Sequence, residues 1–142
     1  MLEMPMDQQS PAPVGKKSAA FKADRLRGLN EGRAQIEVLK AKWPAIFNDP
    51  KNVRPLASSV LPQIAAALGW SHGYTRGVFQ IWKSRRAYCR AVLCYSVRIN
   101  LDGSSSEETI DDRAREMAKA RLGRMAAREA AKRAREPAET DA

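Results

Sequence analysis

The chain has 142 residues, with 25 lysines and arginines against 16 aspartates and glutamates, and its formal net charge is +9. This length suits one domain with tails, and the positive excess favours a polyanionic partner. No stretch approaches the roughly 20 apolar residues of a membrane-spanning helix. Residues 1–14 lack the apolar segment of a secretory signal, so we expect a cytoplasmic protein.

The first part of the chain, residues 1–28, is predicted to be a disordered basic arm, because it combines prolines and lysines with little apolar periodicity. A first helix is predicted from about Glu31 to Lys42, where Ile36 and Leu39 recur at helical spacing. The folded part is therefore expected to begin near residue 29.

Three further helices are predicted after a loop. The first opens at Pro55 or Pro62, since proline is tolerated in the first turn of a helix. The second begins after Ser71, which can cap it. Ser84 is predicted to be the N-cap of the third, which runs from about Arg85 to Leu93.

The pattern then changes to that of a β-hairpin. Val97–Leu101 alternates apolar and polar residues, and the Asp102-Gly103 pair is a strong turn signal. The return strand is expected near Ser106 to Thr109. The predicted fold is therefore mostly α with a small β-hairpin.

A last helix is predicted after Asp111 and Asp112, whose negative charge suits a helix N-terminus. Its apolar stripe ends at Met125, and the apolar side chains beyond it are alanines. We therefore assign residues 29–125 to one folded domain and residues 126–142 to a charged helix and tail rich in alanine and arginine. A monomer is the default expectation.

The distribution of charge is more informative than its total. From Ser71 to Leu101 the sequence contains no Asp or Glu. The basic residues in this stretch are Arg76, Lys83, Arg85, Arg86, Arg90 and Arg98. Arginine donors match phosphate oxygens, and interleaved aromatic side chains such as Tyr88 can stack on bases. We interpret the stretch as a nucleic-acid-binding surface. The alternative is a basic surface whose aromatic side chains belong to the core.

The sequence also bears on two other classes of protein, an enzyme and a DNA-binding module. An enzyme usually needs His, Cys or paired carboxylates within reach of one another, and the chain has one histidine, no zinc-like Cys/His spacing and no glycine-rich phosphate loop. We therefore expect no catalysis, metal or cofactor. A DNA-binding helical module is the alternative, because residues 62–82 superficially fit a helix-turn-helix. Gly73 and Gly77 on its second helix argue against it.

Five motifs follow one another along the chain. They are Trp43-Pro44-Ala45-Ile46-Phe47, Arg54-Pro55-Leu56, Arg76, Ser84-Arg85-Arg86-Ala87-Tyr88 and Val97-Arg98-Ile99-Asn100-Leu101-Asp102-Gly103. Their order and spacing resemble the ProQ/FinO domain of bacterial RNA chaperones over about residues 30–122.

The resemblance implies a compact, mostly helical FinO-domain-like fold. It also implies an RNA chaperone that recognises structured small or antisense RNAs and mRNA 3′ ends by a terminator-like stem and its 3′ tail. Post-transcriptional regulation would follow from RNA protection or RNA–RNA pairing. By matching position, Arg98 would be the central RNA-binding arginine, Tyr88 would face the same pocket, and Arg76 would contact the RNA backbone.

The chain departs from the family pattern at several positions. Ala57 and His72 stand where the family usually has lysine, and Asn100 stands where it has aspartate. The Gly-Glu pair usual in the return strand is missing, with Glu107-Glu108 nearby. The two lost lysines remove charge from the expected face, and compensation by Lys83, Arg85, Arg86 and Arg90 would shift the footprint or the RNA preference. The missing Gly-Glu pair leaves the second half of the hairpin open.

The start of the predicted fourth helix completes the candidate site. Unpaired N–H groups at a helix N-terminus bind anions, and Ser84 is predicted to cap the helix, to bind a phosphate or ribose, or to do both. We hypothesise that this end binds the 3′-terminal nucleotide. The candidate RNA-binding residues are Arg76, Lys83, Ser84, Arg85, Arg86, Tyr88, Arg90 and Arg98.

Overall fold

Six helices and a small antiparallel sheet make up residues 18–136, which are the part of the chain that the computed structural model describes. In chain order the elements are α1 (Ala19–Lys42), α2 (Pro44–Phe47), α3 (Val60–Leu68), α4 (His72–Lys83), α5 (Arg86–Cys94), β1 (Val97–Ile99), β2 (Ser105–Thr109) and α6 (Asp112–Arg135). The predicted mostly α fold with a small β-hairpin is therefore confirmed. Predictions for residues 1–17 and 137–142 lie outside the described residues. No helix within residues 18–136 is long and apolar enough to cross a membrane.

Helix α1 begins at Ala19 and not near Glu31, so the prediction of a disordered arm is wrong for residues 19–28. Ser18 caps the helix by accepting a hydrogen bond from the Phe21 N–H at 3.0 Å. The early start of this helix is explained by how it packs against α4.

The contact between α1 and α4 is close because glycines on each helix face the backbone of the other. A Cβ atom at Gly28 would lie 2.2 Å from the Tyr74 carbonyl oxygen, and one at Gly77 would lie 2.2 Å from the Arg25 carbonyl oxygen. Helices that pack through glycines need no stripe of large apolar side chains. The usual apolar periodicity is therefore weak in the first half of α1.

The helical core follows the predicted pattern more closely on α4. Ser71 caps this helix by accepting a hydrogen bond from the Tyr74 N–H at 3.1 Å. The side chains of Val78, Phe79 and Trp82 are buried as predicted. Helix α4 is thus fixed on one side by the core and on another by α1, and its remaining surface carries part of the candidate site.

Helix α3 begins at Val60, so that Pro62 lies in its first turn and Pro55 lies before it. The segment around Pro55 pairs with β1 instead. The Ile99 N–H donates to the Pro55 carbonyl at 2.9 Å, and the Ala57 N–H donates to the Ile99 carbonyl at 2.8 Å. This segment therefore adds a short third row to the sheet and lies directly beside the candidate site.

The junction between α4 and α5 differs from the prediction. Ser84 is the C-cap of α4: its backbone is helical (φ −86°, ψ −6°), and its hydroxyl donates to the Gln80 carbonyl at 2.6 Å. Arg85 is extended (φ −72°, ψ 148°) and is the N-cap of α5, with no side-chain capping bond. An N-cap needs an extended backbone, which Ser84 lacks because α4 continues through Lys83. The predicted N-cap role of Ser84 is wrong.

The return strand of the hairpin contains a bulge and one strained residue. Strand β1 pairs with β2 in antiparallel fashion, with Val97 opposite Thr109 and an irregular register beyond this pair. Glu107 lies in the irregular part and has φ 65°, in the left-handed region that favours glycine. Glu107 is therefore a residue with a side chain in a backbone conformation that glycine adopts more easily.

Replacing Glu107 with glycine is expected to raise the free energy of unfolding by about 1 kcal/mol, because an L-residue with a side chain is disfavoured in this conformation by about that amount. Urea denaturation would measure the change. Glu107→Ala is the matched control, since it removes the carboxylate but keeps the Cβ atom. An equal gain in both variants would show that the charge, and not the backbone, causes the effect.

Candidate nucleic-acid interface

Two adjoining depressions lie on the face formed by α4, α5, β1 and α6. The smaller has a volume of about 120 Å³ and is lined in part by Tyr88 and Arg98, and the larger has a volume of about 430 Å³ and is lined in part by Arg76. Lys83 and Arg121 line both. We call the two depressions together the basic groove, after the four cationic side chains just named.

Lys83 lies where the two depressions meet. Burial, followed by the positive charges of Arg98, Arg76 and Arg121, lowers the pKa of its amine from 10.5 to about 8, and Glu108 acts in the opposite direction. Burial first, and repulsion by the three neighbouring arginines second, therefore disfavour the charged amine. An anion bound in the groove would relieve this repulsion.

Arg98 and Tyr88 hold the same piece of backbone. Arg98 donates from Nη1 to the Leu56 carbonyl at 3.2 Å, and the Tyr88 hydroxyl accepts a hydrogen bond from the Leu56 N–H at 3.0 Å. Tyr88 is 4 % exposed, and its burial raises the pKa of the phenol. The sequence left Tyr88 open between core and pocket. In the structure it is a core residue that also lines the groove.

Arg121 is a groove residue that the sequence reasoning missed. It lies on α6 and donates from Nη1 to the Lys83 carbonyl at 3.4 Å. Three residues before it, Ala118 is buried in the core. An arginine at helical spacing from a core-facing alanine was the available sequence signal.

Arg85 lies at a separate cavity of about 180 Å³ beside the N-terminus of α5, which Tyr88 and Lys40 also line. Its guanidinium carbon is 5.3 Å from the centre of the Trp82 ring. The indole N–H of Trp82, which also lines this cavity, is buried and has no hydrogen-bond partner among the described residues. Lys83 and Arg85 were both assigned to one candidate site, but the structure separates them. Lys83 lies in the groove and Arg85 lies at this cavity.

Arg86 and Arg90 lie outside the basic groove, on the surface of α5 that faces the outer half of α6. Arg86 donates from Nη2 to Glu129 at 2.5 Å. This hydrogen bond holds the pKa of Glu129 below its ordinary value, and Arg90 adds to the effect. Ser84, with its hydroxyl bonded to the preceding turn, lines neither the groove nor the Arg85 cavity.

The packing of α4 opposes the helix-turn-helix interpretation. Gly73 and Gly77 are buried against α1, so this face of the helix cannot enter a DNA groove. Arg76 is exposed on the part of α4 that remains accessible. Within residues 18–136, no group of three or more His, Cys, Asp or Glu side chains is placed to hold a metal ion.

A family model described as the ProQ/FINO family matches residues 29–135. The match covers most of the chain and includes every residue named so far for the groove and the Arg85 cavity. No match was found among curated proteins.

Proposed function

The chain belongs to the ProQ/FinO family and is an RNA-binding protein on that ground, and we propose that it is an RNA chaperone for structured small RNAs. It recognises a terminator-like stem together with its 3′ tail. Its output is post-transcriptional regulation, by protecting the bound RNA or by pairing it with a second RNA. The proposal includes no catalytic step.

The observation that carries this proposal is the basic groove. Arg76, Lys83, Arg98 and Arg121 come from α4, β1 and α6 and converge on one surface. Burial, followed by the charges of the three arginines, lowers the pKa of Lys83 there. Duplex RNA presents phosphates and 2′-hydroxyls to proteins more than base edges. A groove of this kind reads the position of the backbone at the base of a stem and has little means of reading sequence.

The 3′ tail is proposed to leave the groove past Tyr88 towards the cavity of Arg85. Tyr88 lines both places, so the groove and the cavity share this side chain. No side chain caps the N-terminus of α5 in the described structure, and its first-turn N–H groups favour an anion. Arg85 adds a guanidinium, and the Trp82 side chain lines the same cavity. The 3′-terminal nucleotide is assigned to this cavity.

Arg86 and Arg90 are assigned a lesser role. They add positive charge to the surface next to the cavity, and Arg86 is already paired with Glu129. A surface ion pair contributes little to stability, so Arg86 can exchange Glu129 for a phosphate at small expense. Ser84 is proposed to act only through the shape of the α4–α5 junction.

The first test is a gel-shift comparison of one terminator hairpin with and without its 3′ U-tail. Arg98→Ala is expected to weaken binding of the tailed hairpin at least tenfold, about 1.4 kcal/mol, because Arg98 lies in the groove and fixes the Leu56 backbone. Removing the tail is expected to weaken wild-type binding, and affinity should fall steeply with salt through counterion release.

The matched control is Arg33→Ala, which removes the same charge from an exposed position on α1. It is expected to leave affinity nearly unchanged. Two outcomes would overturn the groove as the binding site. One is equal binding of the tailed hairpin by wild type and Arg98→Ala. The other is binding of tailless RNA and duplex DNA as tightly as the tailed hairpin, which would assign the affinity to unspecific charge.

A further inference from the structure

One acidic side chain, Glu108, is bound to two residues that line the groove, Ser58 and Arg98. The Ser58 N–H and the Ser58 hydroxyl both donate to Oε1 of Glu108, at 3.0 and 3.1 Å. Arg98 Nε lies 3.5 Å from the other oxygen, Oε2. The carboxylate thus bridges the segment before α3 and strand β1.

These three donors form the set that proteins commonly offer to a phosphate. Backbone N–H groups, serine hydroxyls and arginine guanidinium groups make most contacts to nucleic-acid phosphates. Ser58 is exposed, and the side chains of Arg98 and Glu108 are 16 % and 39 % exposed. A ligand in the groove can therefore reach the donors as soon as the carboxylate leaves.

We propose that Ser58 and Arg98 form a phosphate subsite that Glu108 fills in the free protein, and that a backbone phosphate of bound RNA displaces the carboxylate. The inference rests on the proposed RNA binding in the basic groove and adds an internal competitor to it. Rotation of the Glu108 side chain into solvent is sufficient, because that side chain is already partly exposed. No covalent step is involved.

Such a competitor raises the selectivity of the groove. Displacing Glu108 breaks its contacts with Ser58 and Arg98. An RNA that makes few other contacts gains little in exchange. A stem with its 3′ tail also binds at Lys83 and in the Arg85 cavity, and these contacts offset the broken ones. Discrimination by an unfavourable element against poor ligands is a general device of specific interfaces.

The RNA test compares Glu108→Gln with Glu107→Gln. Each variant loses one negative charge, and the two positions are neighbours. Both variants therefore change the long-range electrostatic attraction of the protein for RNA by the same amount. Glu107 has no contact with the subsite donors. Glu108→Gln is expected to bind the tailed hairpin about tenfold more tightly than Glu107→Gln, a difference of about 1.4 kcal/mol. Equal or weaker binding by Glu108→Gln overturns the proposal, since Glu108 would then act through net charge or by positioning Arg98.

A second measurement needs no RNA. Inorganic phosphate is titrated into wild type and Glu108→Ala while the Ser58 amide resonance is followed by NMR. A saturable shift of this amide in Glu108→Ala, with a much weaker response in wild type, is expected. No shift in the variant overturns the subsite. If phosphate binds as expected but none of the proteins binds the hairpin, the subsite stands and the proposed RNA function fails. If the hairpin binds, but Glu108→Gln does not tighten that binding and phosphate does not shift the Ser58 amide in Glu108→Ala, the RNA function stands and the subsite fails.

Discussion

Replacing Lys83 with methionine is expected to stabilise the folded protein and to weaken RNA binding at the same time. A pKa lowered from 10.5 to about 8 means that the fold disfavours the charged amine by about 3 kcal/mol. Methionine keeps most of the volume without the charge. It loses the contact of the amine with the Phe79 ring, which lies 5.7 Å away. We expect the free energy of unfolding to rise by about 2 kcal/mol at pH 7.

The pH dependence of this gain has a definite sign. The folded pKa of Lys83, about 8, lies below the value of 10.5 expected for the unfolded chain. Between these two values the unfolded chain binds more protons than the folded one, so this group makes wild type more stable as pH rises. The advantage of Lys83→Met is therefore full below pH 8 and disappears towards pH 10.5.

Urea denaturation of both proteins at pH 7 and at pH 9.5 would measure these differences. Lys119→Met is the control: it removes the same charge from an amine whose side chain is 64 % exposed, and its stability should stay within about 0.5 kcal/mol of wild type. Affinity for the tailed hairpin should fall at least tenfold in Lys83→Met, about 1.4 kcal/mol. A variant that is no more stable than wild type at pH 7 would show that the Lys83 charge is not disfavoured.

Gly77→Ala is expected to destabilise the protein by about 3 kcal/mol, at the upper end of the range for overpacking. The new Cβ atom would lie 2.2 Å from the Arg25 carbonyl oxygen and 2.7 Å from the Leu29 nitrogen. Both are backbone atoms of α1, so no side chain can move aside, and the two helices have to separate. The packing around Tyr74, on the same face of α4, would loosen with them.

The control is a glycine on the last helix. A Cβ atom at Gly123 would have no heavy atom within 4 Å, and alanine there is expected to raise the free energy of unfolding by up to about 1 kcal/mol through helix propensity. Chemical denaturation of the two alanine variants would therefore give opposite signs. A Gly77→Ala protein as stable as wild type would contradict the close packing of α1 on α4.

The sequence predicted the elements whose burial depends on large apolar side chains. Helix α4 and strand β1 were predicted well because Val78, Phe79 and Trp82, and then Val97 and Ile99, recur at the periods of a helix and a strand. The first half of α1 was missed because Gly28 and its partners on α4 allow burial without such a stripe. In a single sequence, glycines that pack one helix against another cannot be distinguished from glycines in a loop.

The candidate site was predicted in part for a related reason. The stretch without acidic residues drew attention to Arg76, Lys83 and Arg98, which the fold brings to one groove. Consecutive residues on a helical junction point in different directions, so the same stretch could not show that Arg85 and Arg86 lie elsewhere. Arg121, Ser58 and Glu108 come from distant parts of the chain, and only the register of the hairpin and the packing of α6 bring them together.

The glycine contact between α1 and α4 also bears on the speed of RNA capture. Backbone packed directly on backbone leaves α4 little room to tilt or slide, so the backbone positions of Arg76 and Lys83 are fixed before any ligand arrives. A groove whose shape is the same before and after RNA binds spends little time in conformations that cannot bind. Encounter is then governed by diffusion and by the attraction of the groove for phosphate. RNAs that share the same charge arrive at similar rates and differ mainly in how long they stay.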